Sequence, residues 1–199
     1  MFEYINGEIT SLSPAYAVLD VHGVGFGVNI SLSTYTAIQD KTDAKLYLYE
    51  VIREDSFTLY GFATAEERTM FLLLLSVQGV GAATARMILS SLSVYEICEA
   101  IKTGNANLIK SVKGIGAKTA QRIILDLKDK VLEISAYESG APMAVKSAPV
   151  SSELQNEAVS ALVMLGFTVS ATQKVVAAIL EEEPTLKVEQ VIKLALKRL

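Results

Sequence analysis

The residues with the most pointed chemistry are two glycine pairs, Gly79 with Gly81 and Gly114 with Gly116, each enclosing one apolar residue, Val80 or Ile115. They belong to a segment written twice at an offset of 35 residues: Ser-Val-Gln-Gly-Val-Gly-Ala-Ala-Thr-Ala from Ser76 and Ser-Val-Lys-Gly-Ile-Gly-Ala-Lys-Thr-Ala from Ser111. In both copies an apolar helical run meets Gly-apolar-Gly and a second helix starts at once, the pattern of a helix, a tight hairpin and a helix. Glycines permit positive φ and let another chain come close to the backbone. The first turn of the following helix carries amides without intrahelical partners, at the positive end of the helix dipole. Together these make an anion site suited to phosphate. Two such sites in tandem can follow a duplex.

Other glycine-rich chemistries do not fit. A dinucleotide fingerprint fails because its third glycine position holds Thr84 or Thr119 and the preceding run reads as helix rather than strand. A triphosphate-binding loop fails because Ala117 separates Gly116 from Lys118 and Ser111 stands where the first glycine would be. The candidate contacts are therefore Gly79, Val80 and Gly81 with Arg86 in the first hairpin, and Lys113, Gly114, Ile115, Gly116, Lys118 and Arg122 in the second. For both arginines an ordinary exposed helix face is an equal alternative.

These hairpins must be carried by helices, and the rest of the 199 residues divides around them. Net charge is −4, which is low for a nucleic-acid binder until it is split by segment. Residues 1–62 hold 3 basic and 8 acidic side chains, residues 63–136 hold 9 and 7, and residues 137–199 hold 6 and 7. The duplicated segment is the basic part, by a small surplus, so binding should rest on hairpin amides plus a few placed cations and weaken steeply with salt. The single cysteine, Cys98, and the single histidine, His22, leave no disulfide, no ligand pair and no histidine triad. No metal or other cofactor is expected. Cys98 reads as a buried helix position and His22 as part of a turn with Gly23. The longest apolar run, Met70 to Leu75, is too short to span a bilayer, and no signal segment is recognisable, so a cytoplasmic location is expected.

Residues 1–62 read as strands: Met1 to Ile5, a turn at Asn6-Gly7, then Ala15 to Val21, Val24 to Ile30, Lys45 to Ile52 and Ser56 to Phe62. Alternation is clear in Lys45-Leu46-Tyr47-Leu48-Tyr49, and the even spacing favours a five-stranded barrel of the oligonucleotide-binding type. Thr64 with Glu67 spells a capping box ahead of Met70 to Leu75, and helices continue to about Ile134. Residues 137–150, with two prolines and no periodicity, read as a linker. Three short helices follow, from Ser152 to Leu165, from Ser170 to about Glu182 and from about Leu186 to Leu199, with boxes to Gln155 and Gln173 and breaks at Gly166 and Pro184. The expected fold is multidomain α+β: an OB-like barrel (1–62), an all-α domain with two helix-hairpin-helix motifs (63–136), the linker (137–150) and a C-terminal three-helix, UBA-like domain (151–199).

This arrangement, with Val51-Ile52-Arg53-Glu54-Asp55 followed by Leu59-Tyr60-Gly61-Phe62 and with both hairpins, resembles the RuvA family of bacterial Holliday-junction recognition proteins over the whole chain. The resemblance implies a homotetramer, or two face-to-face tetramers forming an octamer, whose concave face holds an open, square-planar four-way DNA junction. It implies a partner, the hexameric ATPase RuvB, contacted by the C-terminal unit, with the RuvC resolvase as a further candidate partner. Glu54 and Asp55 would form an acidic pin near the crossover, and Leu165 and Phe167 would line a motor-binding groove, although a core role for those two is equally plausible. Where relatives often carry a lysine shortly after the second glycine of the first hairpin, this chain has Ala82-Ala83, whereas the second copy keeps Lys118. The rival readings are a helix-hairpin-helix glycosylase or nuclease, a general duplex clamp and a single-strand binder. The first lacks an obvious catalytic group, since Asp126 and Asp129 sit among Lys128 and Lys130 on what reads as an exposed face; the last is disfavoured by the acidic barrel.

Overall fold

The structure, a computed structural model, describes residues 2–138, 151–183 and 186–199. It divides into two compact units, Met1–Ser139 and Gly140–Leu199. Most of the expected linker and the break at Pro184 lie outside the described residues.

The first unit opens with a closed barrel of strands β1 (Tyr4–Ser13), β2 (Tyr16–Val21), β3 (Val24–Ile30), β4 (Asp43–Ile52) and β5 (Phe57–Phe62), in the order β1-β2-β3-β5-β4. Neighbours run antiparallel except β3 and β5, which are parallel. Closure back to β1 is possible because β1 is long enough for two partners, pairing with β4 through Tyr4–Glu8 and with β2 from Glu8 onward, with an irregularity between Ile9 and Ser11. Period-2 alternation fills the interior: Ala44, Leu46 and Leu48 of β4 point inward against Ala17, Leu19, Val28, Ile30 and Leu59. His22-Gly23 is the β2–β3 turn, both residues at positive φ, with the Gly23 amide donating to Asp20 Oδ1 at 2.8 Å.

Two expectations for this region are corrected. Asn6-Gly7 is no turn; both residues lie within β1, paired with Lys45 and Ala44. The glycine serves close packing, since a Cβ there would fall 2.2 Å from the Asp20 carbonyl oxygen. Between β3 and β4 a helix, α1 (Leu32–Ile38), was not expected, because its Ser-Thr-Tyr-Thr run favours strand or loop. Ser31 caps it by accepting from the Thr34 amide, and Ile38 is buried in the barrel core.

The helical part of this unit comprises α2 (Ala65–Leu75), α3 (Ala82–Ser91), α4 (Val94–Thr103), α5 (Ala106–Lys110) and α6 (Ala117–Glu138). Helix α6 therefore extends into the segment that reads as linker. A continuous core joins Met70, Phe71 and Leu74 of α2 to Ile88 and Leu89 of α3, Ile97 and Ile101 of α4, and Ile123, Leu127 and Val131 of α6, with Cys98 buried among them. Phe71 anchors this core to the barrel, its ring centroid 4.7 Å from that of Phe62, 5.4 Å from Tyr60 and 5.5 Å from Tyr49.

Thr64 caps α2 by accepting from the Glu67 amide, but the Glu67 side chain does not return to Thr64. Its buried carboxylate instead accepts from Ser31 Oγ and, at 2.7 Å, from Thr34 Oγ1, while Thr34 Oγ1 accepts from the Ala63 amide at 3.0 Å. The barrel has taken over half of the expected capping box.

The second unit packs α7 (Ser151–Met164), α8 (Val169–Glu182) and α9 (Val188–Arg198) around Ala158, Leu162, Val176, Ile179, Val191 and Ala195. Gly166, at φ 100°, ends α7 in a Schellman motif, with Phe167 N donating to Leu162 O at 3.2 Å and Gly166 N to Val163 O at 2.9 Å. The N-cap of α8 is Thr168, without a side-chain cap bond, so the expected box from Ser170 to Gln173 does not form.

Candidate nucleic-acid interface

The duplicated segment folds into two hairpins that agree bond by bond. In the first, Ser76 closes α2, its hydroxyl donating to Leu73 O at 2.7 Å; Val77 N donates to Leu74 O, and Val80 N to Val77 O, both at 3.1 Å. In the second, Ser111 closes α5, its hydroxyl donating to Leu108 O at 2.6 Å; Val112 N reaches Ile109 O at 3.3 Å and Ile115 N reaches Val112 O at 3.1 Å. Ala85 N to Gly81 O and Ala120 N to Gly116 O, at 2.9 and 3.0 Å, then start α3 and α6.

The glycines in each pair have different jobs. Gly79 and Gly114 stand at φ 92° and 89°, a conformation that L side chains rarely adopt. Gly81, at φ −95° and ψ 173°, is extended backbone open to any residue, and a Cβ at Gly81 or Gly116 would meet nothing within 4 Å. Nothing inside the chain demands glycine there. Gly81 is the N-cap of α3 yet gives it no side-chain cap bond, so the first-turn amides face outward over a bare surface. A surface kept bare beside open amides is what a closely approaching phosphate backbone requires.

The residues between the glycines play another part. Val80 and Ile115 are each only 6% exposed and sit in the helical core, as do Val77 and Val112. Their side chains anchor the hairpins, and their own amides are spent on Val77 O and Val112 O.

The cations diverge. Lys113 and Lys118 are exposed beside the second hairpin, and Arg122, one turn on, lies 3.8 Å from Asp126. Arg86 is half-buried and turned to the barrel, with Nη1 donating to Ala15 O at 3.0 Å and to Asn29 Oδ1 at 3.2 Å. It ties α3 to β3. Lys130, which reads as part of an exposed face, reaches Ser76 Oγ at 3.3 Å and so ties α6 to the first hairpin.

Glu54 and Asp55 form the exposed two-residue tip between β4 and β5, where Arg53 N donates to Ser56 O at 2.8 Å. Below the tip, a groove of about 340 Å³ runs between the β4–β5 hairpin and the first glycine hairpin, lined by Val51, Arg53, Ser56, Thr58, Tyr60, Gly81, Ala82 and Ala83. Sequence reasoning missed this feature, although strand alternation already places its barrel residues on one face.

In the C-terminal unit Leu165 is exposed at the end of α7, beside Met164 at 89% exposure, whereas Phe167 is half-buried against the three-helix core. Among the described residues no group of three or more His, Cys, Asp or Glu is placed to hold a metal ion, and no helix is long and apolar enough to cross a membrane.

An oligonucleotide-binding-type barrel joined to tandem helix-hairpin-helix motifs defines a DNA-binding protein that grips the phosphate backbone. Comparison with known proteins narrows the class. Residues 1–61 match the family model for the RuvA N-terminal domain, residues 71–129 that for a SAM-like helix-hairpin-helix tandem and residues 153–199 that for the RuvA C-terminal domain. Over the full length of both chains, the protein is 60% identical to the Holliday junction branch migration complex subunit RuvA of Bacteroides thetaiotaomicron, 53% to that of Parabacteroides distasonis and 46% to that of Christiangramia forsetii. The chain belongs to the RuvA family.

Proposed function

We propose that this protein binds four-way junction DNA and serves as the DNA-holding, non-catalytic subunit of a branch migration complex, with ATP hydrolysis left to a partner motor. The observation that carries this reading is the pair of superposable hairpins whose second glycines, Gly81 and Gly116, are bare for no internal reason. Contacts made by backbone amides read phosphate and sugar rather than base edges, so recognition is by shape. In the full reading a tetramer, singly or as a facing pair, holds the junction open and planar. Glu54 and Asp55 from each subunit then gather near the crossover, where their charge repels phosphates and keeps exchanging strands apart. The barrel, the hairpin region and the C-terminal three-helix unit act as separate functional parts. Exposed Met164 and Leu165, at the end of α7, support docking of the RuvB hexamer on the C-terminal unit, and Phe167 supports that surface from within.

The test is a competition gel shift at moderate salt between a synthetic four-way junction and a linear duplex of the same sequence. A junction preference of tenfold or more is expected, with no nicking of either DNA. Equal binding to both would leave a general duplex clamp, and nicking would favour a repair enzyme.

A further inference from the structure

The two hairpins share a skeleton but not a charge. Where the second carries Ala117-Lys118, the first carries Ala82-Ala83, so the first helix start offers open amides and no side-chain cation of its own. Beside the first hairpin, however, lies the β4–β5 ribbon. Tyr49 pairs with Tyr60 and Val51 with Thr58, so alternation sets Tyr49, Val51 and Arg53 on one face together with Ser56, Thr58 and Tyr60. The inner end of that face, Tyr49 and Tyr60, packs on Phe71. Its outer end is one wall of the 340 Å³ groove whose other wall is Gly81, Ala82 and Ala83.

We infer that the first hairpin's DNA site is composite: Arg53 of the barrel supplies the phosphate-pairing cation that position 83 lacks, with the hydroxyls of Ser56, Thr58 and Tyr60 lining the same groove. The inference rests on the junction-binding reading and names the ligand of this groove as a deoxyribose-phosphate segment of one junction arm. The chemistry of the lining is consistent. No carboxylate lines the groove, and among the described residues Arg53 makes no ion pair. A guanidinium fork pairs with phosphate oxygens in two parallel bonds, and three hydroxyls and the helix-start amides surround the same space. The arrangement has a mechanical corollary. Arg53 immediately precedes the acidic tip at Glu54-Asp55, so a phosphate held by Arg53 would set the height of the pin over the crossover.

The experiment is a set of binding titrations on a four-way junction across a range of salt, using the full chain and Arg53→Ala, Ala83→Lys, their combination, Thr58→Val and Lys118→Ala. Position 83 corresponds to Lys118 in the repeat, so Ala83→Lys restores the cation from the hairpin side. Arg53→Ala is expected to weaken binding about fivefold to tenfold and to reduce the slope of log affinity against log salt by about 0.9, the signature of one lost phosphate contact. Ala83→Lys should recover most of that loss in the Arg53→Ala background and gain less than twofold in the parent. Thr58→Val should cost about twofold. Unchanged affinity and slope for Arg53→Ala, with Lys118→Ala still weakening binding, would overturn the composite site and leave the junction reading standing. Equal gains from Ala83→Lys in both backgrounds would also overturn it. A parent protein with no junction affinity would overturn both readings. Matching thermal melts of Arg53→Ala, Arg53→Lys and the parent exclude misfolding as the cause.

Discussion

The first and second hairpins are the same backbone solution in two settings. Each places a positive-φ glycine, a buried aliphatic anchor and a bare extended glycine in sequence, and the amide bonds repeat one for one. The settings differ: the first follows a helix of 11 residues and lies beside the barrel, whereas the second follows a helix of 5 residues and carries Lys113 and Lys118 on its own exposed surface. Backbone geometry is thus copied, while charge is assigned locally, by the hairpin itself in one case and by its neighbour in the other.

The sharpest way to break this comparison is to block the amides without disturbing the fold. Aspartate at Gly81 or Gly116 is a good helix N-cap and meets open space, so either variant should melt at or slightly above the parent. Its carboxylate would occupy the phosphate position, and the double variant should lose junction binding about a hundredfold in a gel shift. Retained binding would mean that the amides are not the contact. A smaller effect separates the glycines within each pair. Gly79→Ala and Gly114→Ala, at φ 92° and 89°, should each cost about 1–2 kcal/mol in denaturant titrations, by similar amounts in both copies. Unequal costs would show that the two skeletons differ in strain despite their matching bonds.

The smallest effect concerns the helix that connects the hairpins. Glu96 completes a capping box at the start of α4, and hydrogen bonds from the Ser93 backbone, then from its side chain, hold its carboxyl below the ordinary carboxylate range. A lowered folded value stabilises the folded state above the unfolded pKa and ceases to do so as pH falls through the folded one. Glu96→Gln should therefore remove a shallow part of the acid-side decline in melting temperature below about pH 5 while leaving the neutral melt nearly unchanged. Identical pH profiles would mean that the cap does not contribute.

Much of this was legible in the chain because the signals are local. Alternation in β4 and the repeated glycines need only neighbours along the sequence. What escaped depends on packing between distant segments. Asn6-Gly7 carries a turn signal, but the pull of two strand partners keeps it extended within β1. Helix α1 forms against local propensity because Ile38 fills the barrel and Ser31 caps it. Arg86 reads as an exposed cation until the barrel supplies Ala15 O and Asn29 Oδ1 as acceptors. The groove under the pin joins residues some 25 positions apart, from Ser56 to Gly81, and strand alternation names only one of its walls.

The carboxylate of Glu67 bears on how this molecule can be re-engineered. It begins the helical part of the chain, yet the hydroxyls that satisfy it, Ser31 and Thr34, come from the barrel's own helix. A chimera that transplants the hairpin region onto another barrel would carry a buried acid away from its donors, and a buried charge without partners is severely destabilising. The seam after Phe62 looks like a convenient place to cut, but inheritance across it is joint: whoever takes the hairpins must also take, or rebuild, a serine and a threonine three residues apart some thirty positions upstream.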